Sequence, residues 1–224
     1  MSRFTASLVL VASLFTGLAS AETRFAAPPA ESAELRVAPP QVDRAKVRAA
    51  LIANRNANLA RFRAYYRAGK YPSNVYADGL TNVWRDEDGR LCAAATIMKA
   101  SGEGALVEKI AEQNNFIKLA DVTQGPVLDW ILTSGFTQAE LVAIQKPFQR
   151  VGQIEFEEQA EQLKPIAVID PTLRTDETVR LTKLYRRVDA RMMKTTTTSL
   201  DLAVERLMKR PDLAKKLVGT SVSP

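Results

Sequence analysis

Apolar and polar positions along this chain alternate mainly with the period of an α-helix. The clearest stretch runs from about Asp43 to Ala68. Asp43 is suited to cap it, and Gly69 followed by Pro72 ends it. At about 100° per residue, Val47, Leu51, Asn54, Asn58, Phe62 and Tyr65 form one stripe. It is apolar at both ends and carboxamide in the middle. Arg44, Arg55 and Arg61 flank it.

Tyr71 to Leu80 reads as a loop, with turn signals at Tyr71-Pro72-Ser73-Asn74 and Asp78-Gly79. Short runs on either side of Asp86-Glu87-Asp88-Gly89 predict a hairpin near 82–91. Helices follow over Leu91 to Lys99 and Glu103 to Gln113. Pro126 opens another in the first-turn position it favours, with Leu128, Trp130, Ile131 and Leu132 largely buried. Thr137-Gln138-Ala139-Glu140 is a capping box opening a helix to about Gln145.

Beyond Gly152 the pattern predicts a short acidic helix (Glu155 to Lys164) and a brief strand at Ile166 to Ile169. Thr175 is expected to cap a helix to about Lys194, with Leu181, Leu184, Tyr185, Val188 and Met192 inward. The stripe Leu200, Val204, Leu207, Met208 is out of phase with it, so a bend or turn belongs at Thr195 to Thr198. Pro211 and Gly219 bracket a last short helix.

The expected fold is mainly α, about seven short-to-medium helices in an irregular bundle with one small β-hairpin. Residues 43–150 form the main helical domain. Residues 151–224 form a C-terminal helical segment that can pack on it.

The N-terminus has a different pattern. Arg3, the apolar run Ser7 to Leu18 and the small residues Ala19-Ser20-Ala21 make residues 1–21 an export signal cleaved before Glu22. Residues 22–42 are rich in Ala and Pro, and read as a flexible linker. No run after the signal reaches the roughly 18–20 apolar residues of a membrane span. The expected mature protein is therefore soluble and exported, either periplasmic or secreted.

Composition narrows the chemistry. At 46% hydrophobic and 25% charged residues, a packed core is expected. Histidine is absent, which excludes Ser-His-Asp and Cys-His catalysis and His-based zinc sites. Cys92 is the single cysteine, so no internal disulfide forms, and burial is its expected state. Loss of Arg3 with the signal lowers the net charge of +6 by one, leaving a modest basic excess.

Four constellations carry candidate chemistry. Asn54 and Asn58 with Arg55 and Arg61 can hold an anion or a sugar hydroxyl. Alternatively, the asparagines satisfy backbone groups of a facing loop. Asp86-Glu87-Asp88-Gly89 resembles the start of a Ca²⁺ loop, but the twelfth position is Ile97, not a carboxylate, so it reads as a turn. Asp121, Asp129 and Glu140 are the acids that a carboxylate-only enzyme acting on polysaccharide or cell wall needs. Asp121 and Glu140 are equally placed as turn and cap residues.

Arg180, Lys183, Arg187, Arg191 and Lys194 form a basic stripe suited to anionic surfaces, or else a solvated helix face diluted by Asp176, Glu177 and Asp189. No aromatic residues interleave with it, so nucleic acid is not an expected partner. No cofactor or metal site is expected. The leading expectation is a non-enzymatic binding or interaction protein of the cell envelope. The carboxylate enzyme and the cationic surface binder are its alternatives.

Overall fold

A computed structural model describes residues 42–154 and 167–220 of the 224-residue chain. The export signal, nearly all of the linker and the acidic helix expected at Glu155 to Lys164 lie outside the described residues. The architecture is mainly α-helical, as the periodicity predicts.

Helix α1 (Arg44–Ala68) is the spine. The Asp43 carboxylate accepts from the N–H groups of Ala45 and Lys46 at 2.8 and 3.2 Å, satisfying two of the four donors that a helix start leaves open. Gly69 ends α1 with φ +62°, the left-handed conformation that glycine adopts without strain. The chain continues through α2 (Ala93–Ala100), α3 (Gly104–Gln113), a single 3₁₀ turn at Leu119–Asp121, α4 (Gly125–Thr133) and α5 (Gln138–Ile144). After the strands come α6 (Pro171–Lys194), α7 (Thr196–Met208) and α8 (Pro211–Thr220).

Two short antiparallel pairs supplement the helices. Strand β1 (Leu80–Thr81) pairs with β2 (Phe148–Gln149), and β3 (Gly152–Ile154) with β4 (Ala167–Ile169). At the expected hairpin the backbone makes one antiparallel bridge, Arg85 to Leu91, around the Asp86–Gly89 turn. Asp86 holds that turn, accepting from the backbone N–H of Arg90 at 2.8 Å and of Ser73 at 2.9 Å. Both oxygens of this carboxylate are thereby committed to backbone.

Helix α1 serves two apolar clusters. Val47, Ala50 and Leu51 pack with Leu200, Val204 and Leu207 of α7 and Ala214 and Leu217 of α8. Leu59, Phe62, Tyr65 and Tyr66 belong to the larger cluster, with α2, α3, α5 and the inner face of α6. Phe62, Tyr65, Tyr71 and Tyr185 meet there edge-on or tilted, with ring centroids 5.2–5.7 Å apart, the geometry that aromatic quadrupoles prefer. Between the clusters lies the polar middle of α1, where Asn54 and Asn58 meet backbone carbonyls and Arg55 meets both backbone and the Glu140 side chain.

Some boundaries differ from expectation for local reasons. Helix α6 starts a turn earlier than Thr175, at Pro171. Asp170 caps it, accepting from Thr172 and Leu173, and Pro171 fills the first-turn position. The Thr195–Thr198 interruption shrinks to one shared residue: α6 ends at Lys194, Thr195 is its C-cap, and α7 starts at Thr196. Cys92 stands outside its helix as the N-cap, its Sγ accepting from Ala95 N–H at 3.5 Å.

Candidate functional site

Three helix ends converge on Arg55. Its guanidinium is fully buried, although the α1 stripe places it on the flank. Nη1 donates to Gly135 O at 3.1 Å and Glu140 Oε2 at 2.9 Å. Nη2 donates to Glu140 Oε1 at 2.7 Å and Met192 O at 3.0 Å. Gly135 O and Met192 O belong to the C-terminal ends of α4 and α6, where carbonyls lack intrahelical partners and carry partial negative charge. Glu140 lies in the first turn of α5, where a carboxylate is favoured. Its Oε2 also accepts from Thr137 N–H at 2.8 Å, completing the capping box.

Burial alone would raise the Glu140 carboxyl. The Arg55 guanidinium and the Thr137 N–H outweigh it and hold the group below its ordinary value. The charged plane of Arg55 also lies over the Phe136 ring, 5.4 Å from its centroid.

The asparagines extend the same device. Asn54 Nδ2 donates to Thr133 O, and Asn58 Nδ2 to Ser134 O, both at 2.8 Å. Successive carbonyls at the end of α4 thus receive Asn54, Asn58 and Arg55 from α1. The turn comes so close because residue 135 is glycine. Its φ is +79°, and a Cβ there would lie 2.3 Å from Leu51 O and 2.5 Å from Arg55 N.

Outside this ladder, α1, the α2–α3 turn, α4 and α8 enclose a cleft of about 660 Å³. That volume falls in the range of about 300–1,000 Å³ usual for small-molecule sites. Asn54, Asn58 and Arg61 border it. So do Glu103, Asp129 and Trp130, three residues that helical periodicity alone does not bring together. Arg61 Nη1 donates to Asn58 Oδ1 at 2.7 Å, so the ladder also orients this guanidinium, which meets no carboxylate among the described residues. Asp129 shares one oxygen with Arg210 at 3.0 Å. Trp130 is a wall more than a platform: it is buried, and its indole N–H donates to Ser101 Oγ at 2.9 Å.

The three acids of the carboxylate-enzyme reading, and Asp86 of the turn with them, have separate surroundings. Glu140 is held by Arg55, Asp86 by backbone N–H groups of its turn and Asp129 by Arg210. Asp121 is exposed in the 3₁₀ turn.

The basic stripe of α6 divides into two parts. Arg180 turns toward the body, where it binds Glu177 through Nη2 at 2.6 Å and donates to Pro147 O at 3.0 Å. Lys183, Arg187, Arg191 and Lys194 are exposed, as is Arg186, which the sequence stripe omits. Two of the three acids expected to dilute this charge face inward. Glu177 is buried against Arg180, and Asp189 accepts from Arg63 at 2.9 Å and from the Tyr66 hydroxyl at 3.0 Å.

Cys92 is 1% exposed, and burial pushes its thiol up to about 12. A thiolate is the reactive form, so the native protein is expected to resist a thiol reagent at neutral pH. One equivalent should react after denaturation. Rapid native labelling, followed by mass spectrometry, would contradict this placement.

No protein-family model matches the chain, and neither a curated protein nor a solved structure matches it.

Proposed function

We propose that this chain is an exported, non-enzymatic binding protein of the cell envelope, and that the cleft between α1, α4 and α8 holds its ligand. The observation that carries the reading is Arg61. Its guanidinium is oriented by Asn58, borders a cleft of small-molecule size and has no acidic partner among the described residues. A guanidinium so placed favours a carboxylate or phosphate group, which it grips through two parallel N–H donors. Glu103 and Asp129 on the same cleft accept hydroxyl or ammonium donors. The fitting ligand is a small polar molecule with one acidic group and several donors, such as an amino acid or a sugar acid.

In this reading Asn54 and Asn58 support the cleft and do not themselves bind the ligand through their amide nitrogens. Their amide nitrogens are spent on backbone carbonyls, and this rigidity is what fixes the wall of the cleft. A site needs such a supporting shell to hold its contacts in place.

Thermal melting of residues 22–224 against a panel of amino acids, sugar acids and small phosphates tests the reading. A true ligand at a hundredfold excess over Kd should stabilise the fold by about 2.7 kcal/mol. Arg61→Ala should lose that shift while melting close to the wild type without ligand. A panel that leaves the wild type unmoved, or a shift that survives Arg61→Ala, sinks the proposal. Turnover of a compound, detected by mass spectrometry, would favour the carboxylate enzyme instead.

A further inference from the structure

Helix α6 carries one face that the fold leaves open. Its inner face, with Leu181, Tyr185, Val188 and Met192, is packed in the larger apolar cluster. On the opposite face, counting about 100° per residue, Val179, Lys183, Arg186, Ala190 and Met193 fall on one line. Arg187 and Lys194 flank it, with Arg191 further round. All of these are exposed, Val179 at 64% and Met193 at 50%. Lys183, Arg186, Arg187, Arg191 and Lys194 pair with no carboxylate among the described residues. Two of the three acids of this stretch, Glu177 and Asp189, are neutralised on the inner side. Asp176, near the start of the helix, is the acid that stays exposed.

We propose that this face of α6 docks the protein on an anionic phospholipid surface, lying parallel to it. Charge complementarity selects an anionic partner. The placement of the apolar residues selects lipid among such partners. Val179, Ala190 and Met193 sit in the same line as the cations, spanning four turns or about 21 Å. A hydrated polyanion offers these side chains no apolar phase, whereas a bilayer takes them in between headgroups while lysine and arginine meet the phosphates. No tryptophan or tyrosine stands on the line to anchor it deeply, so attachment is reversible and dominated by charge. No helix among the described residues is long and apolar enough to cross a membrane, so this contact is peripheral. It is independent of the ligand cleft, whose residues it does not use.

The test is cosedimentation of the purified chain with phosphatidylglycerol-containing vesicles and with pure phosphatidylcholine vesicles, at low and high salt. The expected result is pelleting with the anionic vesicles alone, lost as salt rises. Each basic residue near such a surface contributes a factor of about five in partitioning. Lys183→Glu with Arg187→Glu should therefore weaken binding at least twentyfold or so. Both side chains are exposed, so circular dichroism should show an unchanged fold. Val179→Ser with Met193→Ser, which leaves the charge unaltered, should also weaken vesicle binding, while leaving retention on soluble polyphosphate unchanged.

Three results would overturn the proposal: no pelleting with anionic vesicles, pelleting indifferent to the double charge reversal, or apolar substitutions without effect on vesicles. The last would make this a polyanion face and not a membrane face.

Discussion

Glu140→Gln is expected to cost the fold about 3–5 kcal/mol, the usual penalty for stranding one member of a buried ion pair. Against a typical total of about 5–15 kcal/mol, that is a large share. The substitution keeps the shape but leaves the fully buried Arg55 without its counter-charge. Denaturant melts of wild type and variant should show the midpoint falling while the slope stays constant. A loss below about 1 kcal/mol, typical of surface ion pairs, would mean that Arg55 and Glu140 are not paired as described.

Replacing both residues, Arg55→Met with Glu140→Leu, separates two contributions. Buried ion pairs can often be exchanged for apolar side chains without loss. Here Arg55 also donates to Gly135 O, which loses that donor, and to Met192 O, which keeps the Thr196 hydroxyl at 3.0 Å. The double variant should therefore remain destabilised, by about 1–3 kcal/mol, the penalty for one orphaned buried carbonyl.

The same pair sets part of the acid limit. Glu140 has a folded-state pKa below its ordinary 4.5, so the unfolded chain binds the extra proton in acid. Its contribution is complete above pH 4.5 and is lost as pH falls through the folded value. In Glu140→Gln this part of the acid limb should be missing from a stability-versus-pH curve. A variant curve parallel to that of the wild type below pH 4.5 would contradict the assignment.

Gly135→Ala is the second large effect, with an expected loss of about 3 kcal/mol. About 1–2 kcal/mol comes from placing a β-carbon at φ +79°. The remainder comes from forcing the α4–α5 turn off α1, since the new atom would sit 2.3 Å from a backbone oxygen and cannot be relieved by rotating a side chain. Gly125→Ala supplies the control: its φ is +82°, but nothing lies within 4 Å of the added atom. The difference between the two alanine variants isolates the close approach. Equal losses would show that the turn does not need to touch α1.

The helices were largely legible because their ends are governed by residues three or four positions away. Asp43 and Gly69 bound α1, and Thr137 with Glu140 opens α5, each by hydrogen bonds or dihedral preferences local to the chain. Thr175 misled for the same kind of reason. It is a competent cap, but Asp170 followed by Pro171 is a better one, and Thr175 turns its hydroxyl back to Pro171 O inside the helix. The carboxamide patch on the α1 stripe was visible as an oddity. Its cause was not, because the carbonyls that it serves lie 76 and 79 residues later.

Arg55 shows the limit most clearly. On a helical wheel it sits at the edge of the buried stripe, and an arginine at an edge reads as solvated. Its burial depends on Glu140, 85 residues away, and on Met192, 137 residues away. Arg61 and Asp129 likewise become neighbours of one cleft only through the packing of α1 against α4 and α8.

The amino-acid sequence by itself determined the fold class, most helix limits and the exclusion of histidine chemistry, because short-range capping, chain stereochemistry and composition are properties of neighbouring residues. Only the tertiary structure decided which charges are buried, which acids turn inward from α6 and which polar groups share a cleft. Those outcomes depend on partners tens of residues apart, where the desolvation of a charge and the charge that compensates it meet only after the chain has folded.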